Sequence, residues 1–440
     1  MININFEKAV IENSEKEIPM LLTIQPKEDK AVKKESRKLN LSICIDVSGS
    51  MGMPIIRSSS SFDQGIIMNH SYSTSHGELN KKFGEKPESR LERAKKVAQK
   101  LVNNMKNGDI LSLVTFSNDI NVVQPSIEIT TENKVLLKEK ISRMTACGGT
   151  NLYDGWLSSV NEVSEKIEKE SINRVLVISD GETNNGLTDY DEINKNVSKI
   201  SENMISTSTF GIGEGFNEDL MISMSMSGCG NSYYIENEQK MDEAFDMEFD
   251  NISNIYGTNV KVEIEVFNDG KVVDQLNNYE MTGNKYLLPD IRRRVDIKSI
   301  FKIYLPKYEV GERRHIMNIN LEYIDDEGKI ITIKEKVYSD IISSDDYRYL
   351  EFNNEVKIQE TLFLLARERE DAKKALNNND REKAYNILRQ AGKTLENCGF
   401  TDKRIMSAIH EINASIVNND ENTLRKEISY QSYMTTRSLK

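Results

Sequence analysis

Cysteine is scarce in this 440-residue chain: Cys44, Cys147, Cys229 and Cys398 are all there is, far apart and without a CxxC pair. That excludes a disulfide-built extracellular scaffold and a RING-type zinc finger, and the expectation is free thiols in a reducing cytoplasm. Histidine is as thin. His70 and His76 have no cysteine or acid at ligand spacing and read as solvated side chains; His315 and His410 belong to no Ser/His/Asp set. A Walker-type GxxxxGK[ST] is missing as well. Positive charge is in deficit, with 58 Lys and Arg against 70 Asp and Glu for a net charge of −12. Such a balance opposes nucleic acid and anionic membranes as partners. No apolar run approaches membrane-spanning length, and Met-Ile-Asn-Ile-Asn-Phe-Glu-Lys has no signal-peptide core.

What the chain does have is oxygen-bearing side chains at strand ends. Residues 39–45 form an apolar run, and Asp46-Val47-Ser48-Gly49-Ser50 follows directly. In an extended segment, residues i, i+2 and i+4 project to the same side. One carboxylate and two hydroxyls, with no His or Cys, suit a hard cation such as Mg²⁺ and not zinc. Downstream, residues 147–155 make a Gly-hinged loop that opens a helix, with Thr150 at its turn. A β-branched run, residues 175–179, then ends at Asp180.

Together Asp46, Ser48, Ser50, Thr150 and Asp180 resemble the metal-ion-dependent adhesion site (MIDAS) of von Willebrand factor A (VWA) domains, in a bacterial multidomain setting. Asp46, Ser48 and Ser50 match its first element, Thr150 the second and Asp180 the third, over a stretch of residues 39–248. The resemblance implies hydroxyl ligation of Mg²⁺ (Mn²⁺ would fit similarly) by Ser48, Ser50 and Thr150. Asp46 and Asp180 would act directly or through bound water. A partner's Asp or Glu would then replace a water on the ion. Asp154 lies in the same loop but reads as a helix cap. Glu182 and Asn184 follow Asp180 on the rim, either touching a partner or simply solvated.

Around this site, strands and helices alternate, which predicts a doubly wound, mostly parallel α/β sheet of Rossmann-like type. Ser89-Arg90-Leu91-Glu92 reads as a capping box for a helix that ends at Asn107-Gly108. Residues 53–88, polar and Ser-rich, form an insertion beside the metal site, a gate or a segment without a role. Beyond residue 249, period-two alternation (Val260, Val262, Ile264, Val266) signals an antiparallel β-domain over residues 257–345. Asp269-Gly270 reads there as a hairpin turn and Asp326-Glu327-Gly328 as another. Strand-like runs in residues 1–37 are expected to join this β-sandwich, leaving residues 38–248 as an inserted VWA domain. Gly311-Glu312-Arg313-Arg314 fits either such proteins or a charged turn. Residues 346–440 read as a C-terminal helical region: a faintly TPR-like hairpin (355–376, 381–395) plus a third helix (402–417), without a fixed repeat. The tail, 430–440, is frayed or docks a partner.

The functional expectation is a non-enzymatic, cytoplasmic adaptor or assembly factor that uses Mg²⁺ to grasp a partner carboxylate. By family resemblance the partner could be an AAA+ ATPase of the MoxR or chelatase kind. A metal-dependent hydrolase is the alternative and would need a general base that is not evident. A secreted adhesin or structural protein is the other, against which the missing signal peptide counts.

Overall fold

A computed structural model describes residues 2–26, 37–54, 88–180, 183–213, 216–235, 238–417 and 421–437. Three strands lead in: β1 (Ile2–Phe6), β2 (Ile11–Glu12) and β3 (Lys16–Ile24). An alternating stretch follows with β4 (Leu39–Asp46), α1 (Arg90–Asn104), β5 (Ile110–Phe116), β6 (Ile120–Glu128), α2 (Thr131–Ser142) and α3 (Leu152–Ser164). It continues through β7 (Ile172–Ser179), α4 (Tyr190–Glu202), β8 (Ile205–Ile212), α5 (Glu218–Ser227), β9 (Cys229–Ile235) and α6 (Glu238–Ser253). The six strands from β4 to β9 lie in the order β6-β5-β4-β7-β8-β9, parallel at every pairing except β5–β6.

β4, β5 and β7 are buried throughout, which is why they read as near-continuous apolar runs. Successive side chains still divide between two layers. Leu41, Ile43 and Ile45 pack with Leu91, Ala94, Val97 and Ala98 of α1, whereas Cys44 packs with Trp156 and Val160 of α3 on the other face. Ser89 caps α1 as its sequence signature requires, its hydroxyl accepting from Glu92 N at 3.2 Å. Three elements, β6, α4 and α6, carry little sequence signal. β6 is half-exposed and contains Pro125, which suits only an edge strand. α4 buries just Ile193, Val197 and Ser201, a stripe too thin to stand out.

The remaining strands are β10 (Ile255–Val266), β11 (Lys271–Gln275), β12 (Met281–Thr282), β13 (Lys285–Leu288), β14 (Ile291–Arg292), β15 (Ile297–Leu305), β16 (Gly311–Ile324) and β17 (Ile330–Ile342). They form two sheets, β1-β3-β15-β11 and β12-β13-β10-β16-β17-β2, with β14 also on β10. One apolar core lies between them, joining Met20, Leu22, Phe301 and Ile303 to Val262, Ile319 and Leu321. Asp269-Gly270 is not a hairpin turn: β10 and β11 belong to different sheets, and the link is a crossover. Asn268 and Asp269 both take positive φ (54° and 64°), turning the chain out of one layer into the other. Asp326-Glu327-Gly328 does join paired antiparallel strands, with Gly328 at φ 72°. Gly311–Arg314 is part of β16, at a register shift where Arg313 has φ 48°.

At the C-terminus, α7 (Ser344–Arg348) precedes four long helices: α8 (Asn354–Asn377), α9 (Arg381–Asn397), α10 (Lys403–Val417) and α11 (Glu421–Thr436). The three-helix expectation therefore falls one short. Residues 430–436 are helical, and α11 docks on its own chain. The Tyr433 hydroxyl accepts from Ser232 N at 2.8 Å, and the Arg437 guanidinium donates to the carbonyls of Ser225 and Met226 at 3.2 Å. α11 went unseen because much of its buried side is hydroxylic, with Ser429, Ser432 and Thr436 all inside.

A buried ion network ties the parallel sheet to the sandwich. From β7, Arg174 donates to Glu248 Oε1 of α6 at 3.0 Å, to Asp290 Oδ2 beside β14 at 2.6 Å and to Ser206 Oγ at 2.7 Å. Glu248 also accepts from Ser208, Asn231 and Tyr233. Glu248 is thus well supplied with hydrogen bonds and Asp290 has Arg174 as its donor, the condition under which a buried pair is tolerated.

Candidate metal centre

β4 has β5 on one side and β7 on the other, so the strand order reverses between them. Ligand sites of open α/β sheets lie outside the carboxyl ends of strands at such a reversal. Asp46 ends β4 and Asp180 directly follows β7, its paired neighbour.

Asp46 is fully buried. Its Oδ1 accepts from Ser48 N at 2.8 Å and its Oδ2 from Ser179 Oγ at 2.6 Å. Burial pushes its carboxyl up to about 6; the hydrogen bonds from Ser179 and Ser48 oppose the rise and nearby Asp180 adds to it. Ser50 Oγ donates to Asp180 Oδ1 at 2.9 Å, so in the 2.9 Å contact between Ser48 Oγ and Ser50 Oγ it is Ser48 that donates. Asp46, Ser48, Ser50 and Asp180 thus form one continuous array of oxygens.

Thr150 is buried, and its loop is laced to the first. Cys147 N donates to the Val47 carbonyl at 2.7 Å and Gly49 N to the Gly148 carbonyl at 3.0 Å. The loop after β7 holds Thr150 from the other side: Thr150 N donates to Asn184 Oδ1 at 2.8 Å, and its carbonyl accepts from Asn184 N and Asn185 N. Asn118, at the end of β5, accepts from Gly149 N at 2.9 Å and from Asn185 Nδ2 at 2.7 Å. A Cβ on Gly149 would stand 2.7 Å from Asn118 Oδ1, so a side chain there would push the Asn118 amide off this hydrogen bond.

The secondary candidates fall differently. Asp154 accepts from Asn151 Nδ2 at 2.8 Å while its N–H faces Asn151 Oδ1, a capping arrangement at the start of α3. Asn184 serves as a strut for Thr150. Glu182, His70, His76 and nearly all of the 53–88 insertion lie outside the described residues, but Pro54 and Ser89 form a β-bridge, so the insertion leaves and returns at one point. His315 stacks on Tyr338 within the sandwich, and His410 is exposed on α10.

Sequence reasoning missed Arg90. Placed by the first turn of α1, its Nη1 meets Asp180 Oδ2 at 2.6 Å. The only signal was its position beside the cap, which carries no long-range information. Among the described residues Arg90 is the cation ion-paired with either site carboxylate, leaving two buried acids facing one positive charge. No group of three or more His, Cys, Asp or Glu occurs there. Two carboxylates with flanking hydroxyls are a donor set for a hard divalent cation, and the missing charge fits one.

The fold is that of VWA domains, and the family model for the von Willebrand factor type A domain matches residues 84–247. Bacterial relatives carry the likeness further. An uncharacterized protein of Escherichia coli, YfbK, is 28% identical over 217 residues, 49% of this chain and 36% of that protein. An uncharacterized protein of Synechocystis, sll0103, is 24% identical over 321 residues, 69% of this chain and 74% of that one. This chain thus spans about a third of the first relative's length. The solved structure of a von Willebrand factor type A protein from Catenulispora acidiphila matches 99% of this chain and 96% of its own, with a TM-score of 0.73 at 13% identity. The fold is therefore shared across the parallel sheet, the sandwich and the C-terminal helices. Among the described residues, no helix is long and apolar enough to cross a membrane.

Proposed function

We propose that this chain is a Mg²⁺-dependent protein-capture module, an adaptor or assembly factor without catalytic activity, whose centre is Asp46, Ser48, Ser50, Thr150 and Asp180. The reading rests above all on the Ser48–Ser50–Asp180 chain of 2.9 Å contacts at the carboxyl ends of β4 and β7. A bound divalent cation would supply an electrophile with open coordination positions for an incoming carboxylate. The chain's own residues do the rest. Ser179 and Ser48 N hold Asp46 in one rotamer, and the 148–150 and 184–185 backbones fix Thr150. The hydroxyl ligands are neutral, so the ion keeps charge for the partner. We also take residues 38–248 as the capture module and the sandwich and helices as further docking surfaces. By resemblance the partner class is an AAA+ ATPase of the MoxR or chelatase kind.

The test is affinity capture from the native cell. Partners held in Mg²⁺ should be lost in EDTA and with Asp46→Ala, whose circular dichroism should match wild type. Recovery of the same partners by Asp46→Ala in EDTA overturns the reading.

A further inference from the structure

A large hollow among the described residues lies away from the metal centre. A cavity of about 940 Å³ opens where the parallel sheet, the sandwich and the C-terminal helices meet. Its size falls in the range of small-molecule sites. Six cationic side chains line it and only two acids, Asp296 and Glu411, in a chain whose net charge is −12.

The cations are not all neutralised. Arg404 and Lys298 meet Glu355, and Arg404 also meets Asp402, so those acids behind the wall must be counted. With them included, two positive charges remain in surplus. Arg294 and Lys403, both exposed at the wall, have no hydrogen bond or ion pair among the described residues. Arg294 is held there on a left-handed backbone, φ 63°, which a non-glycine residue adopts at a cost. Deeper in, the Arg369 side chain is 1% exposed; its Nη2 binds Glu411 at 3.0 Å, and its Nε is buried with no acceptor. A buried donor left unsatisfied is costly unless something outside the chain completes it. Met247, Leu362 and Met434 give the same cavity an apolar wall.

We propose that this cavity binds a small phosphorylated organic molecule. Its phosphate, at close to two negative charges at neutral pH, matches the surplus. Arginine's planar fork suits such an oxyanion, and the apolar wall accommodates the organic part. The site is independent of the metal centre.

Phenyl phosphate and inorganic phosphate, titrated calorimetrically into the full chain in EDTA, test this with the metal centre silent. Both should saturate, phenyl phosphate more tightly. Arg294→Glu with Lys403→Glu, surface changes that spare the core, should weaken both by about tenfold or more. Lys383→Glu with Lys393→Glu, exposed on α9 and outside the cavity wall, should leave binding unchanged, as should Asp46→Ala. No saturable binding at millimolar probe, or equal binding by the Arg294/Lys403 variant, overturns the proposal. So does tight binding of a hexaglutamate peptide with both phosphates silent, which would make the cavity a dock for an acidic protein segment.

Discussion

Replacing Arg174 by methionine should be among the most damaging single changes in this chain. Methionine keeps most of the buried stem's volume but removes the guanidinium. Glu248, at 2% side-chain exposure, and Asp290, at 9%, then lose their hydrogen-bonded countercharge, and Asp290 keeps only the influence of Arg37 and Arg292. Breaking a buried pair by removing one member costs about 3–5 kcal/mol, because the orphaned charge stays desolvated. Urea unfolding can be followed by fluorescence of Trp156, the single tryptophan, which is fully buried with its indole N–H on Thr207 Oγ1 at 3.0 Å. With an m-value of roughly 2 kcal/mol/M, the midpoint should fall by about 1.5–2.5 M. Adding Glu248→Gln and Asp290→Asn should restore more than half of the loss, since neutral amides tolerate the site. Burial raises the Asp290 carboxyl above its ordinary range, and Arg174 opposes that rise. Without Arg174 the folded state binds the Asp290 proton more tightly than the unfolded chain does. Stability is then retained at low pH and lost as pH rises, so the gap to wild type should widen with pH. A midpoint shift below about 0.5 M, or no recovery in the triple variant, refutes the argument.

Arg90→Met removes the positive charge that meets Asp180 and should raise Mg²⁺ affinity by about tenfold in a calorimetric titration; weaker binding would show that Arg90 orders the site instead. The hydrogen bonds from Arg404, helped by Lys298, lower the Glu355 carboxyl from 4.5 to about 2. That contribution is present above pH 4.5 and lost as pH falls toward 2, and for so exposed a pair it stays below about 1 kcal/mol. Thermal melts of Arg404→Met should accordingly sit slightly below wild type at neutral pH and converge with it in that acid window; a constant offset would be contrary. Gly155→Val drives a side chain into Phe116, 2.7 Å from where the Cβ would sit, and should cost about 1–3 kcal/mol in urea unfolding, a neutral result contradicting the close packing of α3 on β5.

The parallel sheet was readable because its strands are buried on both faces and its helices carry caps such as Ser89. Signals of that kind are local. The oxygen array was readable for the same reason: Asp46, Ser48 and Ser50 are neighbours in sequence, and Asp180 ends an obvious strand. What stayed hidden depends on residues far apart. Arg90 reaches Asp180 across 90 positions. Asn118 binds both Gly149 and Asn185, from a position with no pattern of its own. The cavity draws its cations from the β14–β15 region, α8 and α10, none basic enough to stand out in so acidic a chain. Asp269-Gly270 misled because two turn residues between strands look alike whether the strands pair or part.

The sandwich also sets an order of events on the ribosome. Ile24 of β3 pairs with Ile297 of β15, about 270 positions later, and everything between must be synthesised first. At elongation rates of about 5–20 residues per second that delay is on the order of 15–50 s. The β3 edge that β15 will fill therefore waits bare, while strands β4 to β9 emerge with every sheet partner they require. A strand made before the parallel sheet is thus completed only by one made after it.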